Sequence, residues 1–283
     1  MKSKENYPLV SIIVNCFNGE RYLKNCILSI KKQTYKNLEI IFWDNKSTDN
    51  SKYIFDLLKD KRFRYFFAKK FTNLYEARNL ALKKANGKFI TFIDVDDEWY
   101  PNKIEKQLQI FKTNSKIDVV FSNLEKNKSL FIFKFKKKFF KYLPEYISVE
   151  DLLKFYSVSC SSLALRRSKF NIKKNIFNSK IYMLSDFDFI MRYSLNKNIY
   201  CINEPLVFYR EHKDQLSRKN FIIQANQFIK WYNSVKKNKN FIKKVNFKYL
   251  ESRLNYLKSM KSQNELNTFP NLYKNLKKVR NVN

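Results

Sequence analysis

The stretch Phe89-Ile90-Thr91-Phe92-Ile93 runs without a break into Asp94-Val95-Asp96-Asp97. A short run of bulky and β-branched residues reads as a strand buried on both faces. Its C-terminal end carries three carboxylates within four residues, at the sheet edge where open α/β folds bind ligands. Upstream, Leu9 to Val14 (LVSIIV) and Leu38 to Trp43 (LEIIFW) read as two further buried strands, and Arg64 to Ala68 as a third, shorter one. Between them, Tyr22, Leu23, Cys26, Ile27 and Ile30 recur at helical spacing. Ser47-Thr48-Asp49 signals the start of another helix, through Tyr53, Ile54, Leu57 and Leu58. Leu74 to Ala85 reads as a helix, with Gly87 just past its end, where a left-handed cap is favoured. This β-α alternation predicts a mostly parallel sheet with helices on its faces and right-handed crossovers.

After residue 115 the rhythm changes. Asp118 to Phe121 and Leu130 to Phe135 look like strands around a Lys/Asn turn. Ser148 to Tyr156 is expected as a helix, Ser159 to Leu165 as a strand and Asp186 to Leu195 as a helix. Ile199 to Tyr209 reads as an extended segment interrupted by Pro205, and basic helices follow from Phe221. No internal repeat or Gly/Ser/Pro linker breaks the chain. The expected organisation is one domain over residues 1–220, with halves 1–115 and 116–220, and a basic helical extension over 221–283.

Composition narrows the class. A hydrophobic content of 44% over 283 residues is enough for a packed core, which excludes wholesale disorder. Two glycines, against roughly 20 at average usage, exclude Gly-rich and collagenous classes. The 57 Lys+Arg against 25 Asp+Glu give a net charge of +32. Two origins compete: an anionic partner, or AT-rich coding, since Lys, Asn, Ile, Phe and Tyr are all abundant and Lys is spread evenly. Cys16, Cys26, Cys160 and Cys201 lack zinc or redox spacing and read as neutral thiols of a reducing compartment. No apolar leader and no run of 18 apolar residues are present, so a cytoplasmic chain without a transmembrane helix is expected.

Several residues could carry chemistry. The cluster Asp94, Asp96 and Asp97 has two readings: a site for Mg²⁺ or Mn²⁺ shared with substrate phosphate oxygens, or an acidic solvated turn capped by Asp97. Asp44 ends the second strand, where a lone Asp either binds ligand or closes a loop. Arg78 could hold a diphosphate bidentately or remain a surface cation. Asp186 and Asp188 open a helix; each suits the helix dipole, and either could serve as a general base in a partly dry site. His212, the sole histidine, has no neighbouring His or Cys that would make a standing zinc site.

In order and spacing these residues resemble glycosyltransferase family 2, the inverting GT-A-fold enzymes. The resemblance is carried by Pro8-Leu9-Val10-Ser11-Ile12-Ile13-Val14, Phe17-Asn18, Gln33-Thr34-Tyr35, Leu38-Glu39-Ile40-Ile41 and Asp44-Asn45. Ser47-Thr48-Asp49-Asn50-Ser51, Ala77-Arg78-Asn79, Ala85-Asn86-Gly87 and Asp94-Val95-Asp96-Asp97-Glu98-Trp99-Tyr100-Pro101 continue it. It is dense over residues 8–110, looser at Ser161-Ser162, Ser185-Asp186-Phe187-Asp188 and Tyr209-Arg210-Glu211-His212, and gives out beyond about 220.

The resemblance implies a GT-A nucleotide-diphospho-sugar transferase fold and a UDP- or GDP-linked sugar donor, bound by the 1–115 half, with the acceptor on the 116–220 half. Asp44 would contact the base, with the turn Cys16-Phe17-Asn18 beside it. Arg78 would lie near the nucleotide, Asp94 would reach the ribose, and Asp96 would bind Mn²⁺ or Mg²⁺, with His212 as a further metal or diphosphate contact. Asp186 takes the position of the base, with Asp188 as fallback. The implied reaction is a single displacement onto a hydroxyl of a glycan or lipid-linked acceptor, in cell-surface polysaccharide synthesis at the inner face of the plasma membrane. Three departures stand out: Asn45-Lys46 for the usual Asp-Gly, Ala81 for a common Gly, and Ser185 for the usual Glu before the base. The alternative is a non-catalytic relative binding sugar nucleotide or lipid. A nucleic-acid partner is not expected, because it would not explain carboxylates at strand ends.

Residues 221–283 carry Val235 to Asn240 (VKKNKN), Lys243-Lys244 and Lys277-Lys278 among aromatic and aliphatic positions at helical spacing. Either that face packs on the rest of the chain, or part of it lies on an anionic membrane, held peripherally by charge.

Overall fold

The computed structural model describes residues 7–130, 133–216 and 221–262. The chain divides into two compact units with interleaved segments. Met1–Glu145, Val158–Ser179 and Ile199–Arg210 form the first; Tyr146–Ser157, Lys180–Asn198 and Glu211–Asn283 form the second. The divisions at 115 and 220 describe sequence character and do not coincide with these units.

The first unit is a mixed α/β sheet. Its strands are β1 (Val10–Cys16), β2 (Leu38–Asp44), β3 (Phe63–Phe67), β4 (Phe89–Asp94), β5 (Glu98–Trp99), β6 (Val119–Leu130) and β7 (Phe133–Lys138). After β8 (Tyr146–Ile147), in the second unit, come β9 (Ala164–Arg166) and β10 (Ile199–Phe208). The sheet order is β3-β2-β1-β4-β9-β6-β10-β5, with β7 paired to β6. β3, β2, β1 and β4 are mutually parallel, as the alternation predicts. β9 then runs antiparallel to both β4 and β6, and β10 is parallel to β6.

Every residue of β1 and β2 is buried, which is why these strands read as continuous rather than alternating apolar runs. One face is covered by α1 (Glu20–Lys31), which buries Leu23, Cys26, Ile27 and Ile30 against Val10, Ile12, Val14, Ile40 and Phe42. After α2 (Ser51–Leu57), α3 (Leu74–Leu82) packs on β1 and β2, and Asn73 caps its first turn by accepting from the Glu76 amide at 3.0 Å. Glu39 fastens the amino-terminal side of this region. Its carboxylate accepts from Ser11 Oγ at 2.6 Å, from the amides of Asn86 and Gly87, and from Arg64 at 2.8 Å. Burial pushes the Glu39 carboxyl up, but these donors outweigh it and hold it below the ordinary value.

Some boundaries differ from the sequence reading. Helix α3 stops at Leu82, and Gly87 is not left-handed. A Cβ on Gly87 would lie 2.5 Å from the Ser11 amide nitrogen, so this glycine is required by close backbone approach. Ser159 to Leu165 is largely a short 3₁₀ turn (Cys160–Ser162), with the strand beginning at Ala164. Pro205 shifts the β6–β10 register, since proline cannot donate to the ladder.

The second unit contains α5 (Val149–Lys154), after α4 (Lys103–Thr113) of the first unit, and α6 (Ser185–Ser194). Three helices follow: Phe221–Val235, Lys239–Lys244 and Lys248–Ser262. Phe187 of α6 packs edge-on against Trp231 with centroids 4.8 Å apart, and Arg253 lies over the rings of Phe187 and Phe228. Phe228, Trp231, Tyr232 and Phe241 are buried, so this aromatic face is used inside the unit. No described helix is long and apolar enough to cross a membrane. Lys277-Lys278 lies outside the described residues.

Candidate active site

At the carboxyl edge of the first unit, two turns are laced together. The Asn45 amide donates to the Cys16 carbonyl at 2.7 Å, the Asn18 amide to Ser47 Oγ at 3.0 Å, and the Thr48 amide to Asn18 Oδ1 at 2.8 Å. Asn18 and Lys46 both adopt left-handed backbone, with φ of 51° and 72°. Phe17 is exposed beside Phe71, with ring centroids 4.7 Å apart. The Cys16 thiol is buried, and burial pushes its pKa up to about 11, so it is a neutral wall and no nucleophile.

Asp44 is placed differently from a presented ligand. It is 1% exposed; Oδ1 accepts from the Ser47 amide and Oδ2 from the Tyr65 hydroxyl, both at 2.7 Å. In this state its carboxylate closes the turn that holds Cys16, Phe17 and Asn18. Asn45 is also buried, stitched to Thr72 through its amide nitrogen and oxygen.

Asp94 ends β4 and forms an ion pair with Arg78, whose guanidinium is buried and also lies over the Tyr75 ring. The Asp94 amide donates to Ser161 Oγ at 3.0 Å, and its carbonyl accepts from the Asp97 amide at 3.0 Å, which forms the turn. Asp97 is 2% exposed; burial first, then Asp96 and Asp94, push its carboxyl well above the ordinary range. Asp96 is partly exposed at the head of the turn. Arg210, beyond β10, grips the turn from the other side: its amide donates to Asp97 Oδ1 and its Nε to the Asp96 carbonyl, and its guanidinium pairs with Glu98.

The sequence reading missed three residues here. Arg210 was part of a motif but had no role. Asn15 and Trp43 lie beyond or at the end of runs read simply as strand. They sit opposite one another in the β1–β2 register, and Asn15 is opposite Asp94 in the β1–β4 register. Both are at least 91% buried, and neither the Asn15 amide atoms nor Trp43 Nε1 has a hydrogen-bond partner among the described residues. Leaving such groups dry costs about 1–3 kcal/mol each. A polar Asn continuing the apolar run LVSIIV was the available signal.

In the second unit, Asp188 is 6% exposed and fully engaged: Oδ1 accepts from Trp231 Nε1 at 3.0 Å and Oδ2 from Arg192 Nε at 2.9 Å. Asp186 is half-buried on the first turn of α6 and accepts from the Phe187 amide at 2.8 Å. His212 also belongs to this unit, half-buried in a turn closed with Gln215.

No group of three His, Cys, Asp or Glu side chains converges to hold a metal among the described residues. A protein-only cage therefore does not fit. A hard cation taking one carboxylate, Asp96, and completing its shell with phosphate oxygens and water does fit.

Comparison with known proteins agrees with this architecture. The glycosyl transferase family 2 model matches residues 11–200, and the chain belongs to that family. It is 34% identical over 164 residues to the Escherichia coli UDP-Glc:alpha-D-GlcNAc-diphosphoundecaprenol beta-1,3-glucosyltransferase WfgD, covering 58% of this chain and 62% of that protein. With the E. coli enzyme WfaP, of the same described activity, identity is 32% over 216 residues, covering 75% and 81%. An uncharacterized glycosyltransferase of Haemophilus influenzae is 41% identical over 128 residues, 43% of this chain and only 51% of that protein. Among solved structures, S. aureus TarS 1-349 in complex with UDP-GlcNAc matches with TM-score 0.62 at 18% identity, over 79% of this chain and 66% of that one. The mannosyltransferase PcManGT from Pyrobaculum calidifontis, solved with GDP-Man and Mn²⁺, also gives 0.62, at 15% identity over 89% and 70%. These two likenesses establish the GT-A-like fold.

Proposed function

We propose that this chain is an inverting glycosyltransferase that moves a sugar from a nucleoside-diphosphate donor to a hydroxyl of a glycan or lipid-linked acceptor, in surface polysaccharide assembly at the inner membrane face. The observation that carries the reading is the acidic turn after β4, laced by Arg78, Ser161 and Arg210, at the carboxyl edge of a family 2 fold. The relatives WfgD and WfaP, named for transfer to a diphosphoundecaprenol-linked sugar, support the acceptor class.

In this proposal the turn Cys16-Phe17-Asn18 and Arg78 hold the nucleotide, and Asp94 exchanges its Arg78 contact for the ribose. Asp96 would hold the Mn²⁺ or Mg²⁺, which when bound offsets charge on the leaving diphosphate. Asp186 takes the proton from the acceptor hydroxyl, whose oxygen bonds to the anomeric carbon of the donor sugar as the bond from that carbon to the diphosphate breaks on the opposite face. Asp188 holds the helix that carries Asp186.

Calorimetry of UDP and GDP with Mn²⁺ or with chelator tests the reading. Metal-dependent binding that Asp96→Asn removes is expected. Equal binding in chelator, or no nucleotide binding at all, sinks it.

A further inference from the structure

The second unit has a basic corner that the proposed chemistry does not use. Residues 215–250 contain nine Lys or Arg and no Asp or Glu. Glu251, the next carboxylate, accepts from the Tyr232 hydroxyl at 3.1 Å. The corner lies where the helix Phe221–Val235 turns into the helix Lys239–Lys244. Lys236, Lys237, Lys239 and Lys243 are exposed there, and none of them forms an ion pair among the described residues. Lys244 is engaged differently, donating to Asn196 Oδ1 at 2.8 Å.

The short helix is firmly held. Asn238 caps it by accepting from the amides of Asn240 and Phe241. Phe241 is buried and meets the Trp231 ring edge-on, with centroids 5.9 Å apart. With Phe241 inward, helical spacing sets Lys239, Ile242 and Lys243 on the outward side. Ile242 is 53% exposed, an aliphatic side chain among lysines. Lys239 and Lys243 stand one turn apart, a like-charge spacing that destabilises a helix unless an anionic partner offsets it.

We propose that this corner docks on the headgroups of an anionic lipid bilayer. Ile242 enters the headgroup boundary, and Lys236, Lys237, Lys239 and Lys243 face the lipid phosphates. This deepens the function proposed above and rests on it, because a lipid-linked acceptor gives the docking its use. The aromatic face that the sequence offered to a membrane is spent inside the unit, where Phe228, Trp231 and Phe241 are buried. What is left outside supplies both signals that stable peripheral binding takes, an apolar contact and a cluster of cations. A single-stranded nucleic acid calls for exposed rings on which bases stack. Here the rings are inside and the exposed apolar group is aliphatic. AT-rich coding raises Lys along the whole chain, but it sets no exposed Ile among lysines on one helix face.

Flotation of the full chain with lipid vesicles tests this. Mixed phosphatidylglycerol–phosphatidylcholine vesicles should bind the wild type at low salt and release it at high salt, and pure phosphatidylcholine should not bind it. The chain carries a net charge of +32, so two variants of equal charge are compared. Each lysine near an anionic surface contributes about fivefold. Replacing Lys236, Lys237, Lys239 and Lys243 together by Gln should therefore weaken binding by more than about 100-fold. Replacing Lys24, Lys59, Lys112 and Lys116, exposed lysines of the first unit, by Gln should leave it within about threefold. Ile242→Ser changes no charge and should weaken binding about 3- to 10-fold. Should the first quadruple variant fail to fold, Ile242→Ser and Lys243→Gln carry the comparison. Equal losses in the two quadruple variants overturn the inference. So does vesicle binding unmoved by Ile242→Ser, which would mark the corner as a site for a soluble polyanion such as RNA. UDP and GDP binding with Mn²⁺ is measured alongside. Nucleotide binding without vesicle binding overturns the docking alone, and vesicle binding without nucleotide binding overturns the function on which it rests.

Discussion

The backbone amide of Arg210 donates to Oδ1 of Asp97 at 3.2 Å, while Nε of the same residue donates to the Asp96 carbonyl at 3.1 Å. One residue thus fixes a buried carboxyl and the backbone of the exposed carboxylate next to it. The guanidinium is itself held over the rings of Tyr22 and Phe208. A planar fork with several donors can do this; a lysine ammonium cannot reproduce its geometry.

Arg210→Lys should therefore loosen the turn while leaving its charge balanced. A charge-assisted contact is worth about 1.5–3 kcal/mol, so Mn²⁺ affinity in the presence of nucleotide should fall about 10- to 100-fold. Electron paramagnetic resonance of free and bound Mn²⁺ measures this directly. Unchanged Mn²⁺ affinity would show that Asp96 needs no help from Arg210.

Asp186 and Asp188 should separate cleanly by stability. Removing one partner of the Asp188–Trp231–Arg192 set leaves a buried indole N–H unpaired. Asp188→Ala should cost about 2–4 kcal/mol in urea unfolding, in line with breaking a buried charged network. Asp186→Asn should unfold within about 0.5 kcal/mol of wild type yet lose about 10²–10⁴-fold in transfer. Near-normal turnover by Asp186→Asn would remove it as the base.

Glu39 should shape the acid limb of stability. Its carboxyl is held below the ordinary value of 4.5 by hydrogen bonds, so it contributes stability above that value. The contribution is lost as pH falls through its lower folded value. Glu39→Gln should lower the urea midpoint at pH 7 and flatten the fall below about pH 4.5, measured by fluorescence; a variant with an unchanged acid limb would contradict this.

Lys103 shifts stability with pH in the same sense, this time because it is the charged form that the fold disfavours. It is 0% exposed; its ammonium nitrogen donates to Gln107 Oε1 at 2.8 Å and Thr91 Oγ1 at 3.0 Å, over the Trp99 face. The ring favours the cation, but desolvation dominates and pulls the pKa well below the ordinary value of 10.5. Here the unfolded chain binds the extra proton, so stability rises as pH climbs through the folded value toward the ordinary one. Lys103→Met should gain stability at pH 6 relative to wild type, and the gain should shrink by pH 9. A constant difference between the two proteins across that range would refute the assignment.

The parallel half of the sheet was legible because β1, β2 and β4 are buried on both faces and so read as unbroken apolar runs. The order β9-β6-β10 was not, because antiparallel insertion is decided by contacts distant in sequence, such as Ala164 opposite Thr91 and Val120. At the site, Asp94 and Arg78 were legible as residue types, and the structure supplied their pairing. The engagement of Asp44 depends on Tyr65, 21 residues away, and that of Asp188 on Trp231, 43 residues away. No local pattern carries such long-range partners.

The two glycines and the left-handed residues Asn18 and Lys46 together amount to a map of which steric demands the described part of this chain can evade. A Cβ on Gly87 would meet the fixed backbone of Ser11 and Leu9 at 2.5 and 2.9 Å, and one on Gly19 would meet Cys16 Sγ at 2.9 Å. The Gly87 contacts are with fixed backbone and no rotation of φ relieves them, whereas at Gly19 it is the Cys16 side chain that would have to give way. Asn18 and Lys46 face only a torsional penalty, about 1–2 kcal/mol for an L-residue, which the lacing of their turns overcomes. A chain this poor in glycine has kept it where matter would overlap and dispensed with it where the backbone is merely uncomfortable. Torsional strain is thereby concentrated in the two turns at the edge proposed to take the donor, and Lys46→Gly would relax one of them without disturbing a neighbour's space.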